Sequence, residues 1–142
     1  MRALLSMAKA TNTVVELHPE VVQEPWEIEW ERCKPYIAKA VKHQDSYTID
    51  DIEDKIRGGI FHLWPGKKSA YITEFVMFPQ LNAMNLLFCG GDYKELEEML
   101  PHIEEFAKKA GIQRLYGGGR KGWTRKLKHL GFETEYLIRK DL

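Results

Sequence analysis

Between Lys68 and Asp92 the chain carries a single charge, Glu74, set among Ile72, Phe75 and Val76. Apolar neighbours raise a carboxyl's pKa, and a carboxylate so tuned can take a proton from an amine. The same residue would also serve as a solvent-facing or Lys-paired carboxylate, and the pattern leaves both roles open. Downstream, Gly117-Gly118-Gly119-Arg120-Lys121 places three glycines and two cations before a helical pattern. Free backbone amides at such a junction form a nest for an anion. The Lys-Ser/Thr pair of a nucleotide P-loop is missing, which excludes that particular site. A cofactor phosphate, a nucleic-acid phosphate or a plain turn with solvated cations all fit. Asn82 and Asn85 offer amides to a substrate or to the core. Cys89 could act as a nucleophile only beside a basic partner that lowers its pKa, and no motif supplies one, so it reads as a packing residue.

These residues need elements to position them. Pro25 suits the first position of a helix, and Trp26, Trp30, Cys33, Ile37 and Val41 recur at helical spacing. Pro35 predicts a kink or a break in it. Thr48 with Asp51 forms a capping pattern for a second helix, with Ile49, Ile52 and Ile56 on one face and Gly58-Gly59 at its end. Ile60–Trp64, Ser69–Phe78 and Leu81–Cys89 read as an antiparallel meander, separated by Pro65-Gly66-Lys67-Lys68 and Pro79-Gln80. Asp92-x-x-Glu95 then caps a long helix with Leu96, Met99, Leu100, Ile103 and Ala107 on its apolar stripe and Pro101 as a bend. Ile112–Tyr116 is a strand, parallel to the third meander strand because a helix joins them. A last helix carries Trp123, Leu127 and Leu130 and stops at Gly131. Thr13–Leu17 and Phe132–Arg139 read as the first and the closing strand. The pattern predicts one mixed α/β (α+β) domain over residues 1–142. Its sheet has about six mostly antiparallel strands flanked by helices, and residues 1–12 form a loose leading segment.

Composition is that of an ordinary globular chain: 44% hydrophobic and 30% charged residues, neither a disordered tail nor a membrane protein. The 21 basic and 21 acidic residues cancel, which argues against a generic polyanion binder. Their distribution is uneven. Glu16 to Glu31 holds six acids and no base, Asp92 to Glu105 six acids and one Lys, and Arg114 to Lys128 six bases and no acid. Such faces are solvated, or meet a protein partner or a second copy of opposite charge. Two distant cysteines without a CxxC fit reduced thiols in a cytoplasmic setting. The histidines lack metal-ligand spacing, so a built-in metal site is not expected. No apolar run approaches the roughly 20 residues that span a bilayer, and neither a signal segment nor a membrane partner is expected.

The element order resembles the GNAT superfamily of N-acetyltransferases, from about Thr13 to Arg139. The most specific local piece is Lys128-His129-Leu130-Gly131-Phe132, similar to the Leu-Gly-Phe that ends the last helix in that family. The stretch from Gly117 to Glu133 is also similar to small phage-encoded GNAT-like proteins. The resemblance implies an acyl-CoA, acetyl-CoA first, lying where the Leu81–Cys89 strand parts from its parallel neighbour, and an amine as acceptor. Pantetheine would pair with the backbone of Leu87, Phe88 and Cys89. The pyrophosphate would sit near Gly90 and Gly91 at the start of the next helix. Gly118, Gly119, Arg120 and Lys121 would hold phosphate from the opposite wall, with Glu74 as the catalytic base.

Two positions depart from the family. Phe88-Cys89-Gly90-Gly91-Asp92 lacks the leading Gln/Arg and the full glycine spacing of the pyrophosphate loop, and it puts a carboxylate where the anion would bind. Leu127 stands where many members carry a tyrosine that protonates the departing thiolate. The sequence therefore supports three readings. One is an N-acyltransferase with a divergent phosphate loop. Another is a catalytically silent GNAT-fold binding or assembly module. The third is a nucleic-acid-binding domain using residues 114–128.

Overall fold

The computed structural model describes residues 24–118 and 121–142. The predicted Thr13–Leu17 strand and the predicted loose segment lie outside them, as do Gly119 and Arg120. Helix α1 (Pro25–Val41) buries Trp26, Trp30, Cys33 and Ile37. It runs through Pro35 without a break. Helix α2 (Ile49–Arg57) starts on a reciprocal cap. Thr48 Oγ1 accepts from the Asp51 amide at 3.2 Å, and the Asp51 carboxylate accepts from the Thr48 amide at 2.8 Å. The Thr48 amide, and after it the Thr48 hydroxyl, hold the Asp51 carboxyl below its ordinary range.

Three strands follow, β1 (Phe61–Pro65), β2 (Ser69–Met77) and β3 (Asn82–Gly91), then helix α3 (Tyr93–Lys109), strand β4 (Arg114–Gly117) and helix α4 (Lys121–Leu127), which tightens into a 3₁₀ turn over Lys128–Leu130. The sheet order is β1-β2-β3-β4. The first two pairings are antiparallel and β3–β4 is parallel. A parallel neighbour requires a crossover, which α3 supplies.

The sheet separates two cores. On one face α1 and α2 cover Phe61, Leu63, Ala70, Ile72 and Phe88. On the other α3 covers Trp64, Tyr71, Met84 and Leu86 with Leu96, Met99, Leu100 and Ile103. Each buried large side chain contributes roughly 1.5–3 kcal/mol. The Tyr71 hydroxyl donates to the Leu96 carbonyl at 2.7 Å and pins α3 to the sheet. A polar triad sits in the α3-side layer. Thr73 Oγ1 accepts from Trp64 Nε1 at 3.0 Å and lies 2.9 Å from His62 Nδ1. The His62 ring is walled by Phe75 and Phe106, and burial pushes its pKa down to about 4.

The alternation breaks once. Ile72 pairs with Phe88 and Thr73 with Leu86, so Leu87 is an extra residue in β3. Such a bulge turns two successive side chains to one face. Leu87 and Phe88 both pack on the α1–α2 core, whereas Leu86 and Cys89 meet the α3 core.

Two expectations are corrected. Residues 132–139 form no strand, and four strands rather than six stand among the described residues. Tyr136, Leu137 and Ile138 are 93–96% exposed. Alternation makes a segment capable of being a strand, but a strand also needs an edge to pair with. The Asp92-x-x-Glu95 box is only half formed. Asp92 Oδ2 accepts from the Glu95 amide at 3.4 Å, but Glu95 turns away to the β1–β2 turn. There its carboxylate accepts from the Lys67 amide at 3.0 Å, the Lys68 amide at 2.8 Å and the Ser69 hydroxyl. Burial alone would raise this carboxyl, but the three donors outweigh it and hold it low. Three bonds across the fold win over the single backbone bond a capping box would offer.

Candidate functional site

The parallel ladder runs from Ala83–Arg114 to Leu86–Gly117 and stops. Strand β3 continues to Gly91, bonded to β2 on one side only. Along Leu87–Gly91 its other edge has no strand partner among the described residues. The bulge residue Leu87 sits just past the last pair of the parallel ladder. Strand β4 ends at Gly117, so past this pair the sheet has a gap along β3, where edge N–H and C=O groups can receive an extended, amide-bearing ligand.

The residues around this gap fall into three sets. At its closed end Glu74, Asn85 and Tyr116 stand opposite one another across β2, β3 and β4. Asn85 Nδ2 donates to Glu74 Oε2 at 3.2 Å. The Tyr116 hydroxyl accepts from Arg114 Nη1 at 3.0 Å. Glu74 pairs with Phe61 on the other side, which puts it on the sheet face covered by α1 and α2. The sequence singled out Glu74. It gave no reason to place Tyr116 in the same row, because register across strands is not a local property.

The second set is the start of α3. Gly90 lies under α1: an added Cβ would come 2.1 Å from the Tyr36 carbonyl oxygen. Gly91 has φ +108°, and its Cβ would come 2.3 Å from the Lys68 carbonyl oxygen. Both glycines are thus required by the fold itself. Asp92 caps the helix start, and its carboxylate is the ligand that end already holds. Cys89 beside them is a neutral packing thiol, its pKa pushed up to about 12 by burial.

The third set follows the end of β4 and begins α4. A Cβ at Gly118 would meet nothing within 4 Å, so this position opens on free space. Lys121 begins α4; Gly119 and Arg120 lie outside the described residues. Behind them the Trp123 ring lies 5.4 Å from that of Tyr93, and Lys126 Nζ lies 4.5 Å over the Tyr93 ring. His129 Nε2 reaches Glu97 at 3.3 Å. Part of the basic segment is therefore spent on tying α4 to α3. Elsewhere, at the β1–β2 turn, an open groove of about 630 Å³ is lined by Arg32, Lys67, Glu95 and His102 among others. Arg32 is held by Glu29 and the Lys67 carbonyl, and Glu95 by the turn amides, so these two charges are already paired.

No family model matches the chain, and no curated protein does either. Solved structures do match. An aminoglycoside acetyltransferase from an uncultured soil metagenomic sample, solved with trehalose, aligns at TM-score 0.55 and 12% identity, over 83% of this chain and 89% of that one. A protein described as a predicted acetyltransferase of Clostridium acetobutylicum, solved with acetyl-CoA, aligns at TM-score 0.54 and 14% identity, over 98% and 94%. The Thermus thermophilus protein TTHA1254 aligns at TM-score 0.55 and 16% identity, over 80% and 89%. At these identities the likeness is one of fold, and the fold is GNAT-like.

Proposed function

We propose that the domain is an N-acyltransferase that takes its acyl group from acyl-CoA, acetyl-CoA first, and passes it to an amine. The observation that carries this reading is the edge of β3 left without a strand partner among the described residues once β4 ends at the Leu86–Gly117 pair, with the bulge at Leu87 beside it. The free edge of Leu87, Phe88 and Cys89 pairs with the amides of pantetheine. Gly90 and Gly91 bring the chain close to the phosphates. The capped start of α3 leaves the main phosphate contact to the other wall, through Gly118, Gly119, Arg120 and Lys121. Acetyl-CoA supplies a thioester carbonyl. Glu74, oriented by Asn85, takes a proton from the acceptor ammonium; the freed amine attacks the thioester carbonyl, and coenzyme A leaves as a thiolate that takes up the second amine proton, while Tyr116 in the same row stays bonded to Arg114. The two free thiols, Cys33 and Cys89, suit a cytoplasmic protein. No helix among the described residues is long and apolar enough to cross a membrane.

A second reading has its own observation. Asp92 fills the helix start that an acyl-CoA pyrophosphate would use, and Leu127 offers no acid. On that reading the domain is a silent GNAT-fold module that binds a partner through its charged faces.

Thermal melting with acetyl-CoA separates the two. A ligand that binds only the folded chain stabilises it by about 2.7 kcal/mol at a hundredfold excess over Kd. The acyltransferase reading expects a rise in Tm, and Glu74→Gln should keep that rise while lowering kcat at least about 100-fold. No shift at millimolar acetyl-CoA leaves the silent module.

A further inference from the structure

The sheet face that α1 and α2 cover also carries Glu74, Asn85, Tyr116, Arg114 and Phe78, none of which belongs to the α1–α2 core. The first three stand in one row across β2, β3 and β4. Asn85 Nδ2 donates to Glu74 Oε2 at 3.2 Å. Arg114 lies two residues before Tyr116 on β4, so both rise from the same face, and Arg114 Nη1 donates to the Tyr116 hydroxyl at 3.0 Å. The Phe78 ring meets that of Tyr116 edge-on at 6.3 Å and is itself 45% exposed.

Two opposite charges thus share one face, and among the described residues neither forms an ion pair. Glu135 acts on Arg114 only at longer range. The two do not meet each other either. Two strand spacings across and two residues along put their Cα atoms about 12 Å apart. Each is turned inward by a neighbour. Glu74 leans on Asn85 toward β3. Arg114, though exposed, folds back until its guanidinium lies 5.8 Å from the Tyr116 ring centroid. A half-buried acid and a folded-back base, held apart over an amide and two aromatic rings, match a molecule that bears both charges itself.

We infer that the acceptor is an amino carboxylate, with its ammonium on Glu74 and its carboxylate on Arg114. A guanidinium presents paired donors that fit a carboxylate, and the Tyr116 hydroxyl leaves most of them free. With Glu74 turned toward β3, roughly 5–10 Å remain between the two heads, which suits roughly four to six carbons between amine and carboxylate. Phe78 and the Tyr116 ring wall that chain. Tyr116 is a positioning residue, since its hydroxyl fixes the guanidinium. The inference rests on the acyl-transfer reading, in which Glu74 is the base, and adds which amine is used. The amine gains the acetyl group and gives up two protons, one to Glu74 and one to the coenzyme A thiolate. A plain amine leaves Arg114 without a partner, and a diamine sets a cation against it.

Two acceptors that differ by the carboxylate alone, 6-aminohexanoate and pentylamine, test this. Coenzyme A thiol released from acetyl-CoA should show an advantage of about tenfold in kcat/KM for the amino carboxylate, carried by KM. Arg114→Gln should bring that ratio close to one, and Tyr116→Phe should lower it part of the way. Equal use of both acceptors by the unsubstituted chain would overturn the inference, as would a ratio that Arg114→Gln leaves intact. Failure of the acyl-transfer reading looks different, because acetyl-CoA then gives no rise in Tm. If neither acceptor releases thiol, calorimetric titration of the chain with 6-aminohexanoate decides. Heat that Arg114→Gln abolishes sustains the amino-carboxylate site, and heat that survives the substitution, or no heat at all, overturns it.

Discussion

The two halves of the sheet are built differently. From β1 to the β2–β3 pairing every strand has a neighbour, and both faces are sealed, by α1 and α2 on one side and α3 on the other. From the outer edge of β3 to β4 the ladder is four pairs long and stops where β4 ends, which leaves the Leu87–Gly91 edge without a strand partner among the described residues. The first half spends its side chains on packing: Trp26, Trp30, Phe61 and Trp64 are each no more than 2% exposed. The second keeps backbone groups and glycines open. A rigid half holds the register, and the open half is where a ligand can enter without dismantling a core.

Substitutions should separate the halves sharply. Trp30→Ala strikes the sealed half hardest, because it empties a buried site and strands Glu53, whose Oε1 accepts from the indole at 2.6 Å. A loss of about 3–5 kcal/mol in urea unfolding is expected. A loss under about 1 kcal/mol would show that the α1–α2 core is not the stabilising half.

Acid should act on the same half. Folded His62 titrates near 4 against 6.5 for the free side chain. The unfolded chain thus binds a proton first, and stability falls as the pH drops from 6.5 toward 4 and is flat above 6.5. The expected loss is about 3 kcal/mol across that window, and His62→Gln should flatten it. An unchanged slope in that variant would assign the acid sensitivity elsewhere.

The smallest stability effect marks the open half. Gly118→Ala meets nothing within 4 Å and should change stability by under about 0.5 kcal/mol. If the gap binds acetyl-CoA, the same variant should weaken that binding several-fold by calorimetry. A large loss of stability would mean that the glycine serves packing, as Gly90 does.

The legibility of these features in the sequence follows their range. The Thr48–Asp51 cap is readable because both partners lie within one helical turn. The stripes Trp26-Trp30-Cys33-Ile37 and Leu96-Met99-Leu100-Ile103 are readable because helical periodicity is local. The parallel β3–β4 pairing follows from the helix between them. Glu95 departs from its expected cap, since its better donors are Lys67, Lys68 and Ser69 on a distant turn. The bulge is invisible because Leu86-Leu87-Phe88 is apolar at every position, so a slip in alternation leaves no mark.

Local pattern was enough for the helices, the cap of α2, the three-strand meander and the resemblance in element order to GNAT enzymes. All of these rest on contacts a few residues apart or on periodicity. Three features had to wait for the folded chain: where the β3–β4 ladder ends, which residues share a row with Glu74, and that residues 132–139 pair with no strand among the described residues. Each of those is a matter of pairing between distant segments, and pairing is settled by which donors, acceptors and apolar surfaces remain free once the cores have closed.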